Sequence, residues 1–153
     1  MSEHSARVIW KRGDASFLDN RYSRGHRWEF DGGLSVPASA SPQVVPAPLS
    51  VEANVDPEEA FIAALSSCHM LFFLSLAAQY GFLVESYDDQ AVGELGKDAE
   101  GRTVMLRVKL RPIIIFGGQR KPTESQLQAL HRQSHQCCFI ANSVKTEVVV
   151  ELL

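Results

Sequence analysis

The sequence predicts an α+β fold with only two long helices. Three observations carry this: an N-terminal region of short alternating runs broken by turn residues, a long apolar stretch with a helix start and stop at its ends, and a second alternating region followed by a shorter capped helix and a final apolar run. The order β, α, β, α, β with meandering strands disfavours a doubly wound sheet. At 153 residues the chain is expected to form one domain over residues 1–153, long enough to bury a core without disulfides.

Each element has a local cause. Ala6, Val8 and Trp10 alternate with more polar neighbours, the stretch from Arg12 to Arg27 carries Gly13, Asp14, Asp19, Asn20 and Gly25, and Asp31-Gly32-Gly33 marks a turn, together a β-meander. Pro37, Pro42, Pro46 and Pro48 disfavour both helix and central strand, so that segment is expected to be an extended connection or an edge. Asp56-Pro57-Glu58-Glu59 is a helix start: Asp56 as cap, Pro57 at the first position and Glu59 closing a capping box. Gly81 is the matching stop. Between them, Phe61, Leu65, Met70, Leu71, Phe72, Phe73, Leu74 and Leu76 leave no broad polar face. A helix so apolar needs cover on most sides, and a second subunit is expected to supply part of it. Ser66, Ser67, Cys68, His69 and Ser75 interrupt the apolar run, which favours a core helix over a membrane span.

A second β region follows, Gln90 to Leu95 and Arg102 to Phe116, with Val104, Leu106, Val108 and Leu110 expected on one buried face. Thr123 with Gln126 forms another capping box, opening a helix to about Cys137, and Thr146 to Leu152 reads as a final strand.

Composition narrows the function. With 15 basic against 18 acidic residues the formal charge is −3, which leaves no positive surplus for a phosphate backbone, so nucleic acid is not an expected partner. Three cysteines, an odd number, argue for thiols in a reducing compartment rather than a bridged scaffold. The opening MSEHSARVIW is too polar for a signal peptide, so a cytoplasmic protein is expected.

A buried cysteine is most often an inert small residue. Cys68, however, sits with Ser66, Ser67 and His69 in mid-helix, a polar cluster that needs partners and suggests a lined pocket. It lies about three turns from either helix end, too far for the helix dipole to stabilise a thiolate, so it needs a cation from elsewhere. Cys138 falls at a helix C-terminus, where an anion is disfavoured, which suits a resolving thiol better than an attacking one. A zinc site from His131, His135, Cys137 and Cys138 is the competing assignment, weakened by the vicinal cysteines and the lack of CxxC spacing. His69 could orient a leaving group, but it points about 100° away from Cys68 on the helix, and a packing role is at least as natural.

The segments DPEEAFIAALSSCH (Asp56 to His69) and HQCCFIANSV (His135 to Val144) resemble the paired signature of the OsmC and Ohr superfamily of hydroperoxide reductases. The resemblance covers most of the chain. It implies an OsmC-like fold, antiparallel sheets around a long central apolar helix, in an intertwined homodimer with active sites at the subunit interface. It places the peroxidatic role on Cys68, the resolving role on Cys138 and an arginine-holding role on Glu58. If Glu58 and Cys68 share one straight helix they are about 15 Å apart, so they cannot touch within it. The arginine of the Ohr branch comes from the N-terminal strands, where Arg21, Arg24 and Arg27 are candidates and Arg24 beside Gly25 is the choice. Phe139 and Ala141 replace the proline and serine of the second motif, Cys137 falls on an ordinary position, and these departures mark a less typical branch.

The resemblance implies a thiol peroxidase. Cys68 would attack an organic hydroperoxide, releasing an alcohol and leaving a sulfenic acid, and Cys138 would condense with it to a disulfide that an external dithiol, lipoyl-type or thioredoxin-like, reduces. No metal or organic cofactor is called for. An apolar lining from Phe61, Leu65, Phe72 and Phe139 would favour a greasy peroxide. The alternatives are a redox-sensing or binding protein of the same fold without turnover, and a structural dimer.

Overall fold

The structure is a computed structural model that describes residues 1–152. The chain divides into two compact units, residues 1–60 and the remainder from Phe61.

In the first unit, β1 (Ala6–Ile9), β2 (His26–Phe30) and β3 (Ser35–Ala38) form an antiparallel sheet in that order. The β2–β3 turn uses Gly33 at φ 88°, a left-handed conformation that favours glycine. Pro37 sits in the outer strand β3, where a missing N–H costs no ladder bond. Trp10 falls just outside β1: its indole N–H donates to the Ser23 carbonyl at 2.8 Å, and its ring packs against Phe17 and Tyr22. Beyond β3, Ser39 ties the proline-rich connection down by accepting the Val51 N–H on its hydroxyl at 2.9 Å.

Helix α1 runs Pro57–Gln79. Its capping box is formed, with the Glu59 N–H donating to Asp56 Oδ1 at 2.7 Å and the Asp56 N–H to Glu59 Oε2 at 3.1 Å. At the other end the Phe82 N–H reaches the Ala77 carbonyl at 2.9 Å and the Gly81 N–H that of Ala78 at 3.1 Å, a Schellman motif with Gly81 at φ 80°. Only the stripe Leu65, His69, Phe73 and Ala77 is buried. Leu71 remains 61% exposed, so a single chain covers one face of this helix.

In the second unit, β4 (Val84–Asp89) pairs with β7 (Pro112–Phe116), and β5 (Val92–Lys97), β6 (Thr103–Leu110) and β8 (Glu147–Val150) form a three-stranded sheet. All strand pairs are antiparallel except β6 with β8, which run parallel. The stretch expected as one run from Arg102 to Phe116 is broken at Arg111, whose N–H is taken by Asp89 Oδ1 at 2.6 Å, and the chain passes from one sheet to the other there. The strand face differs from the simple alternation as well. A register shift beside Glu94 and Leu95 turns Leu106 outward, 44% exposed, while Met105 joins Leu65, Val108 and Leu110 inside.

Helix α2 (Glu124–Cys137) opens on the expected capping box, the Gln126 N–H donating to Thr123 Oγ1 at 3.2 Å and the Thr123 N–H to Gln126 Oε1 at 2.9 Å. It buries Leu130, His131 and Ser134. A single 3-10 turn, Ala141–Ser143, follows. The second unit has two core clusters, one around Phe73, Ala77, Phe82 and Leu130 and one around Leu65, Val108 and Leu110.

Candidate active site

The second unit brings Cys68, in the middle of α1, against Cys138, at the end of α2. All three cysteines are free thiols: Cys68 is half-buried, Cys137 exposed and Cys138 buried. Cys138 caps α2, its N–H donating to the His135 carbonyl, and its sulfur accepts the Ala141 N–H at 3.4 Å. Burial pushes the Cys138 thiol up, and the neighbouring Cys68 sulfur acts the same way, against the opposing N–H groups of Ala141 and Ile140. Cys138 therefore holds its proton more firmly than an ordinary thiol.

The neighbouring residues build an apolar shoulder. Phe72 follows Cys68 by one helical turn, and the ring of Phe139, next to Cys138, meets it edge to face with centroids 5.1 Å apart. Ser66 donates to Asp89 Oδ2, the same carboxylate that holds the Arg111 N–H. The polar cluster of α1 is thus partly committed to the sheet.

His69 is wholly buried, with Nε2 3.0 Å from His131 Nδ1. Burial, with His131 and His135 nearby, lowers His69 to about 4, and burial lowers His131 to about 4, so both are neutral near pH 7. This pair was not evident in the sequence, where His131 counted only as a candidate metal ligand. Among the described residues no group of three or more His, Cys, Asp or Glu side chains is placed to hold a metal ion.

In the first unit, Glu58 lies in the opening turn of α1 and its Oε2 is buried without a hydrogen-bond partner among the described residues. The three arginine candidates differ sharply. Arg27 is paired with Glu29 at 2.9 Å, and Arg21 is exposed. Arg24 lies over the Tyr22 ring at 3.7 Å and donates to the Asn20 carbonyl at 3.1 Å, to Asn20 Oδ1 at 2.9 Å and to the Tyr22 carbonyl. It has no carboxylate partner among the described residues.

Comparison with known proteins places this geometry in context. A family model described as OsmC-like protein matches residues 51–153. The chain is similar, at 64% identity over 100% of both chains and a TM-score of 0.98, to the structure of an OsmC-like protein of unknown function from Vibrio cholerae. It also resembles in fold an organic hydroperoxide resistance protein from Elizabethkingia anophelis, at 17% identity, 99% and 94% coverage and a TM-score of 0.71. A third likeness in fold is to the organic hydroperoxide resistance protein OsmC from Legionella pneumophila, at 16% identity, 99% and 96% coverage and a TM-score of 0.64. No curated protein matches the chain. With its capped apolar helix and its α+β order, the chain belongs to the OsmC-like protein family.

Proposed function

We propose that the protein is a cysteine-based peroxidase that reduces organic hydroperoxides to alcohols. The observation that carries this is the placing of the half-buried Cys68 of α1 beside the buried Cys138 at the end of α2, both as free thiols. The Cys68 thiolate attacks the distal oxygen of ROOH, the O–O bond breaks, and ROH leaves after taking up a proton, with Cys68 oxidised to the sulfenic acid. The Cys138 sulfur then attacks the Cys68 sulfur, water departs with the Cys138 proton, and a Cys68–Cys138 disulfide remains. An external dithiol, lipoyl-type or thioredoxin-like, reduces it by exchange. Phe72 and Phe139 give the approach an apolar character suited to an alkyl or aryl peroxide.

Arg24 and Glu58 are the residues to which the resemblance gives support of the thiolate. Among the described residues Arg24 has no carboxylate partner and the buried Glu58 Oε2 no hydrogen-bond partner, which leaves both charges open to that role. The remaining apolar surface of α1 fits a homodimer of single-domain subunits, and three free thiols fit the cytoplasm.

The test is turnover of cumene hydroperoxide with dihydrolipoamide or a thioredoxin system as reductant. Cys68→Ser is expected to lose activity by more than about 100-fold, the scale of losing a nucleophile. Cys138→Ser is expected to complete one turnover and stop at a sulfenic acid that dimedone traps. A Cys68→Ser variant with full activity would overturn the proposal, and a wild type that forms the disulfide without turnover would instead favour a redox sensor.

A further inference from the structure

We infer that Phe139 is a positioning residue, an aromatic latch that holds the segment carrying Cys138 onto the face of α1 carrying Cys68. This rests on Cys68 and Cys138 forming the redox couple proposed above.

The geometry is a two-point contact. Cys68 and Phe72 stand one turn apart on the same face of α1, about 6 Å along the axis. Cys138 and Phe139 are consecutive, and each stands by one member of that pair: the Cys138 thiol is near enough to Cys68 to be shifted by it, and the phenyl rings meet at 82° with centroids 5.1 Å apart. One contact alone leaves a segment free to swivel about it. Two contacts a turn apart fix both its place and its rotation.

The other bonds of the segment are internal to it or tie it to α2. The Asn142 N–H donates to the Cys138 carbonyl at 3.0 Å, Ser143 Oγ to the Phe139 carbonyl at 2.7 Å, and Asn142 Nδ2 to the Gln136 carbonyl at 3.0 Å. They shape the turn without joining it to α1. Ile140 and Ala141 also pack in the core around Leu65, itself on α1, which places the segment, while the ring pair is the contact beside Cys138 that sets its rotation. Phe139 is 70% exposed, and its ring contact is the one with Phe72. Because it contributes little to the core, its truncation is not expected to unfold the chain.

A latch that pre-organises two thiols raises their effective concentration, the measure of how readily they close a disulfide. This is read without peroxide: oxidised glutathione takes the two electrons, Cys68 and Cys138 join, and two molecules of reduced glutathione carry away the thiol protons. The full chain carrying Cys137→Ser would be equilibrated in glutathione buffers of graded ratio, acid-quenched, and its Cys68–Cys138 disulfide quantified by mass spectrometry. Phe139→Ala and Phe72→Ala are each expected to lower the effective concentration about three- to tenfold, the factor for one aromatic pair. The double variant should fall no further than either single one, because both remove the same contact. Phe139→Tyr, which keeps the ring edge, should restore the value.

An unchanged effective concentration in Phe139→Ala, or additive losses in the double variant, would overturn the latch and leave the couple standing. Failure of the parent chain to form the disulfide at any glutathione ratio would overturn the couple and the latch together.

Discussion

Nε2 of His69, on α1, lies 3.0 Å from Nδ1 of His131, on α2, with the two rings nearly parallel at 9° and the outward nitrogen of each buried without a partner among the described residues. Two neutral imidazoles can share one hydrogen bond, the protonated nitrogen of one facing the bare nitrogen of the other. Charging either ring would bury a cation with no anion to meet it. The pair therefore joins the two helices at one end of the site only while it stays uncharged.

That condition sets a pH window. Both histidines titrate near the ordinary 6.5 when unfolded and at about 4 when folded, so between those values the unfolded chain binds more protons. The stabilising contribution is fully present above about pH 6.5 and is lost as pH falls toward about 4. Urea denaturation at pH 7.5, 6, 5 and 4.5 should register a loss on the order of 3 kcal/mol from the pair. His131→Phe should flatten the dependence, and a wild-type stability that does not change across this range would contradict the assignment.

The arginine assignment separates by substitution. Arg24→Ala should slow oxidation of Cys68 by about 10-fold or more, since a hydrogen bond to a charged group contributes about 1.5–3 kcal/mol. Glu58→Gln should act in the same direction and more weakly. Arg21→Ala and Arg27→Ala should leave the rate near that of the wild type. Stopped-flow measurement of thiol loss with cumene hydroperoxide decides among them.

Gly93 of β5 lies close against Ile62 of α1. A Cβ there would stand 2.6 Å from Ile62 Cδ1 and 2.6 Å from Met105 Sδ, with Ile62 Cγ1 at 2.9 Å. Gly93→Ala is expected to destabilise the chain by about 1–3 kcal/mol through overpacking. A thermal melt compared with that of Gly13→Ala, where nothing lies within 4 Å but φ is 64°, separates crowding from backbone strain.

The exposed side of α1 tests the homodimer. Leu71 is 61% exposed on a helix with no broad polar face. Leu71→Glu should shift the protein from dimer to monomer in light scattering, because a charge buried at an interface without a partner is costly. Peroxide turnover should fall with it if the site needs both subunits.

The sequence by itself determined the helix boundaries and the unequal placing of the two cysteines. Capping is a matter of a few neighbouring residues, so Asp56 with Glu59, Thr123 with Gln126, and Gly81 at φ 80° were legible and stand as expected. The positions of Cys68 in mid-helix and Cys138 at a helix end follow from those same boundaries. The two motifs were likewise enough to indicate the family. Only the tertiary structure decided which stripe of α1 turns inward, because a helix apolar on all sides has no periodic signal to orient it. It also decided that His69 would meet His131 and that Phe139 would meet Phe72, contacts between residues more than sixty positions apart. The outward turn of Leu106 depended on a register shift against β5, set by pairing rather than by the alternation of β6 itself. Local chemistry writes itself into neighbouring residues, whereas contacts between distant elements exist only once those elements have packed.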